Sequence, residues 1–246
     1  MPLFLLLRPP LPARGIDWLH LAVVGFLIQA VYFGLCYTAF ALGTSAGVVA
    51  LIVSLQPILV AVLAPVLVGE IISAKGWAGL ALGFTGAIIV ILGYERVEAV
   101  SMVGVACSGG ALLGMVAATL YEKRFGVSQH PITANLAQYA VGLIAMLPFA
   151  LVFENFHILW TGKFIAAIGY LVIGNSLIAI TLLLAMIRHG KASQVSALFY
   201  LVPLGAALSA WVLIGEPVPL LTWVGMAIAA IGVSLVTWGA ARTKPV

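Results

Sequence analysis

Charge is what this chain has least of. Eleven Lys and Arg and seven Asp and Glu are spread over 246 residues, 7% of the total, while 64% are hydrophobic. A soluble domain of this size needs a charged shell, and there are too few charges to build one. The net charge of +4 points to no nucleic acid, because basic residues occur one or two at a time between apolar runs. Cysteine is scarce too. Cys36 and Cys107 lie inside apolar runs with no metal-ligand spacing around them, so they read as small buried hydrophobes. His20, His130, His157 and His189 are scattered near run ends, and neither a metal site nor a cofactor is expected. Nor does any set of acid, base and nucleophile converge inside the runs, as an embedded enzyme requires.

Long apolar sequence is what the chain has in abundance. Stretches of about 18–24 residues, each long enough to cross a bilayer core of about 30 Å, recur along it. They are placed at 18–41, 46–68, 76–93, 101–121, 131–153, 163–186, 192–214 and 220–238. The pattern predicts an all-α polytopic membrane protein of eight spans, not the short alternating strands of an outer-membrane barrel. Basic residues in short loops favour the cytoplasmic side. With the start of the first span inside, nine of the eleven Lys and Arg fall on that side, and only Arg96 and Lys163 fall outside. Both termini are therefore expected in the cytoplasm, with the protein in the inner or plasma membrane.

Sliding the chain along itself by 146 positions lays 46–93 over 192–239 without a gap. Pro57 then meets Pro203, Gly69-Glu70 meets Gly215-Glu216, and Trp77-Ala78-Gly79 meets Trp223-Val224-Gly225. Gly86 and Gly93 meet Gly232 and Gly239. Shared hydrophobicity does not produce such a register of Pro, Trp, Glu and Gly. Two related membrane halves are characteristic of secondary transporters, with the substrate site between the halves. The second span runs outside to inside and its partner, the seventh, runs inside to outside, so the repeats are inverted. Inversion requires an odd number of helices per repeat. The second repeat, 99–246, has five spans. The first, 1–98, has three, and Met1–Leu7 reads as the tail of another helix, so roughly 45 residues of a five-plus-five plan are expected to be missing.

The mid-span prolines, the short linkers, the Gly-Glu ends at 69–70 and 215–216 and the Trp-x-Gly openings together make the chain resemble the EamA branch of the drug/metabolite transporter superfamily. The resemblance covers essentially the whole chain. It implies ten helices in two inverted five-helix repeats around a central cavity, and export or exchange of small metabolites. The chain departs from that pattern in lacking the first helix and most of the second.

Candidate site residues follow from polarity at membrane depth. Gln29, Tyr32 and Gln56 on one side, and Asn175, Gln194 and Tyr200 on the other, should turn away from lipid and are expected to line a substrate cavity. The bland reading of each is an interhelical hydrogen bond of about 0.6 kcal/mol. Pro57 and Pro203 remove a backbone donor near mid-span and are expected to act as hinges or kinks. Glu70 and Glu216 fall at span ends and suit a helix-end or gate role, with Lys75 as the partner of Glu70. Glu122, beside Lys123 and Arg124, reads as a solvated helix end. Gly79, Gly86 and Gly93, and likewise Gly225, Gly232 and Gly239, recur every seven residues and line one packing face per helix, within the chain or against a second copy in a homodimer. The expected partners are a small-molecule substrate and the lipid bilayer. Two rival readings remain open: a membrane enzyme acting on lipid-like substrates, and a partner-dependent or inactive fragment of a transporter.

Overall fold

The computed structural model describes residues 11–94, 101–126, 130–153, 158–214 and 218–240, and among these there is helix and no strand. Helix runs in eight successive stretches. These are α1 (Gly15–Ala41), α2 (Ala46–Leu67), α3 (Ala74–Tyr94), α4 (Met102–Phe125), α5 (Pro131–Phe153), α6 (162–189), α7 (192–214) and α8 (Leu220–Ala240). Their limits lie within about four residues of the ranges read from the sequence, because local chemistry sets them. Ser45, Ser101 and Thr161 each accept a backbone N–H as N-caps of α2, α4 and α6.

Six of the eight, α1 to α5 and α8, are long and apolar enough to cross a membrane. Helices α6 and α7 change form along their length. In α6 a π-helical stretch, Tyr170–Ala179, separates Gly162–Gly169 from Ile180–His189. In α7 a 3-10 turn, Leu198–Leu201, separates Ala192–Ala197 from Val202–Ile214. Large side chains stand open to the surroundings along most helices, with Val66 82% and Met102 84% exposed. Water would not tolerate such a surface and lipid suits it, so this is an integral membrane protein.

The interruptions recur at a spacing of 146 residues. α1 carries its own π-helical stretch, Phe26–Phe33, and a shift of 146 lays it inside that of α6. α2 breaks at Ser54 and Leu55, and α7 carries its 3-10 turn at the equivalent place. Pro57 and Pro203 therefore each sit in the first turn of the segment that follows the interruption. There the missing N–H costs nothing.

The closest pairing in the fold is α3 with α8, running antiparallel. A Cβ on Gly79 would lie 2.7 Å from Gly232 O, and one on Gly86 would lie 2.7 Å from Gly225 O. Gly93 reaches Thr222, and Gly239 lies in the last turn of α8. Backbones this close exchange many dispersion contacts, and only glycine permits them. The two glycine faces are thus spent on each other, so a second copy would need another surface. α4 forms the centre of the rest of the bundle. Met115 and Ala118 pack with α1, α5 and α6, while Leu112, Val116 and Leu120 pack with α2 and the start of α7.

Candidate functional site

A buried polar cluster lies where α2, α4 and α7 meet. Gln56 opens the second segment of α2 and has no exposed surface. Its Nε2 donates to Ser196 Oγ at 3.2 Å and to Thr119 Oγ1 at 3.4 Å, while Thr119 donates to Met115 O at 2.8 Å. Oε1 of Gln56 has no protein partner. The cluster therefore joins α2, from the first half of the chain, to α4 and α7 from the second, and keeps one acceptor free. An amide, a threonine and a serine offer hydrogen bonds of both senses and no charge.

The described polar candidates make contacts with different helices. Gln194 Nε2 donates to Thr237 O at 3.2 Å and ties α7 to the end of α8. Tyr200 is fully buried, its ring against Gly83 of α3 and Phe84. Gln29 lies in the π stretch of α1 and packs on Gly142 of α5. Tyr32 is half-buried and packs with the clusters on both sides of α1. Asn175 belongs to the π stretch of α6, and its side chain is outside the described set. Glu216 also lies outside the described residues.

Glu70 has a partner that the sequence reading did not name. Its Oε1 accepts from Ala192 N at 2.7 Å, and its Oε2 accepts from Ser193 N and Ser193 Oγ at 3.2 and 3.0 Å. Gly69, at φ 70°, makes the turn after α2 that brings the carboxylate there. The carboxylate satisfies free N–H groups at the start of α7, where the helix dipole favours negative charge. Lys75, expected to pair with it, is exposed and is not among its partners. A cleft of about 450 Å³ opens beside this contact, lined by Glu70, Ser73, Lys191, Ser193 and Gln194. Glu70→Ala should lower stability by about 1–2 kcal/mol, and Lys75→Ala should move it by less than about 0.5 kcal/mol. Melting curves of the purified variants check both, and equal effects would refute the cap.

Glu122 is not solvated either. It is buried, and Oε1 accepts from Arg188 Nε at 2.6 Å. Nearby, Lys123 donates to Gly190 O and Arg124 donates to Leu67 O. The ends of α2, α4 and α6 and the start of α7 are thus laced together at one end of the bundle. The bridge joins residues 66 positions apart in sequence, and nothing local marks Arg188 as the partner of Glu122. Asn135 and Gln138, both buried on α5, were also missed. A count of amides at membrane depth could have found them.

The profile of the EamA-like transporter family matches residues 1–92 and 96–238. The inner membrane transporter YedA of Escherichia coli (strain K12), itself uncharacterised, is 26% identical over 249 residues, 96% of this chain and 76% of its own length. The uncharacterised transporter YvbV of Bacillus subtilis (strain 168) is 26% identical over 193 residues, 78% of this chain. The match takes in only 63% of YvbV. One crystal structure superposes with a TM-score of 0.77 over 94% of this chain and 79% of the other, at 18% identity, which is a likeness of fold. A profile match over nearly the whole of an integral membrane chain places this protein in the EamA-like transporter family.

Proposed function

We propose that the protein is a secondary transporter that exports or exchanges a small organic metabolite by alternating access between two inverted repeats, 1–98 and 99–246. All eight helices cross the membrane in this reading, with both termini in the cytoplasm. The observation that carries it is the contact between α3 and α8. The 146-residue shift turns Gly79 into Gly225 and Gly232 into Gly86, so it converts the contact of Gly79 with Gly232 into that of Gly225 with Gly86. Antiparallel helices that exchange in this way have a two-fold axis perpendicular to them, which lies in the membrane plane when they cross it. The matched π stretches of α1 and α6 and the matched breaks in α2 and α7 support the same axis.

Gln56, Thr119 and Ser196 form the core of the transport path in this reading. They lie where the halves meet, next to a break that lets one half tilt against the other. The lacing of α2, α4, α6 and α7 closes the cytoplasmic end. Substrates would be bound by hydrogen bonds instead of ion pairs, since the cluster holds no charge.

Flux into proteoliposomes tests the proposal, using a panel of radiolabelled amino acids, amines and nucleosides. Accumulation requires sealed vesicles if the protein transports. Chemical conversion in detergent, without a compartment, would establish the enzyme reading instead. Gln56→Ala should cut flux about tenfold or more with membrane abundance unchanged, and Asn175→Ala should also reduce it. Wild-type flux in both variants would sink the assignment of these residues.

A further inference from the structure

Helix α5 carries two buried amides, Asn135 at 4% and Gln138 at 0% exposure. Three residues apart, they share one face of the helix. They serve different neighbours. Asn135 Nδ2 donates to Ser176 O and Thr181 Oγ1 of α6, each at 2.6 Å. Gln138 stands against α1, where a Cβ on Gly25 would fall 2.6 Å from the Gln138 Cα. One turn further along, Gly142 makes the same room for Gln29 of α1.

The junction of α1, α5 and α6 thus gathers three amides. Four of their buried polar atoms have no protein partner: Gln29 Nε2, Asn135 Oδ1, and both Nε2 and Oε1 of Gln138. Leu21, Val24, Ile28 and Leu184 pack into the hydrophobic cluster that these three helices share. Amides left unpaired in such surroundings cost free energy, and small residues alone would have packed the helices without it. The neighbouring stretches 21–32, 133–142 and 173–184 contain no Lys, Arg, Asp or Glu. Both α1 and α6 pass through the junction as π-helix, a form often found at functional positions. The 146-residue shift lays Gln29 on Asn175 there.

We propose that this junction is a solute-binding site for an uncharged molecule that carries a hydrogen-bond donor and an acceptor side by side, a carboxamide or lactam. A primary amide presents the complementary pair in one plane and engages such a group with two parallel hydrogen bonds. The site is separate from the Gln56 cluster, because α4 stands between them with different side chains on each face. It is read by binding and does not depend on the transport proposal.

The test is thermal melting of the full purified chain with millimolar benzamide or uracil, and with N,N-dimethylbenzamide as the donor-blocked control. Benzamide and uracil should raise the melting temperature, and the dimethyl compound should not. Gln138→Met keeps the side chain unbranched and removes its unpaired atoms. It should melt about 2–4 °C higher without ligand and bind both probes about tenfold or more weakly. Should it fail to fold, Gln29→Met on the facing helix is measured in the same way. The proposal is overturned by a wild type indifferent to both probes, by equal stabilisation from the dimethyl compound, or by undiminished binding in the variants. A wild type that ignores the probes beside a stabilised Gln138→Met would mark the junction as a water site and would overturn it too.

Discussion

Glu122→Ala should cost the protein about 3–5 kcal/mol of stability, the largest loss from any single side-chain truncation considered. The carboxylate is 2% exposed, its Arg188 partner 10%, and the two are 2.6 Å apart. Exposed pairs contribute about 0–1 kcal/mol because water screens them. Here little water reaches either group. Removing the glutamate takes away the carboxylate that Arg188 Nε meets at 2.6 Å. Arg188→Met should also destabilise, because it takes this partner from the buried carboxylate. Replacing both, as Glu122→Leu with Arg188→Met, should recover much of the loss. Unfolding titrations of the three variants in detergent give the numbers. If Glu122→Ala costs under about 1 kcal/mol, the pair is screened and the argument fails.

Gly86→Leu should abolish the folded monomer. A Cβ on Gly86 would meet the backbone of Ala229 and Gly225 O, and neither can rotate aside as a side chain could. Even Gly86→Ala should cost about 1–3 kcal/mol, since α3 and α8 must separate to admit one methyl group. Gly109 in α4 is the control, because nothing lies within 4 Å of its Cβ position. Gly109→Ala should be neutral, or stabilising by up to about 1 kcal/mol through helix propensity. Size-exclusion profiles and melting curves separate these outcomes. A monodisperse Gly86→Leu with wild-type stability would show that the α3 and α8 contact is not tight.

The flux and binding tests address different parts of the molecule, so neither result settles the other. Loss of flux in Gln56→Ala concerns the cluster joining α2, α4 and α7. Loss of probe binding in Gln138→Met concerns the junction on the far side of α4.

The sequence by itself determined where the helices begin and end, and which positions match under a shift of 146 residues. Both depend on neighbours in the chain: caps such as Ser45 and Ser101, apolar runs matched to the bilayer, and Pro57 and Pro203 at one register. It did not determine which side chains meet. Glu70 found the start of α7, 122 residues away, instead of Lys75 nearby. Glu122 found Arg188, Gln56 found Ser196, and Gln194 found the end of α8. In a soluble helix, one apolar stripe shows which face turns inward. A helix in lipid is apolar all round, so sequence periodicity leaves its rotation unreadable. Packing fixes that rotation, above all the glycine contacts of α3 with α8 and of α1 with α4 and α5, and with it which buried polar groups meet a partner and which do not.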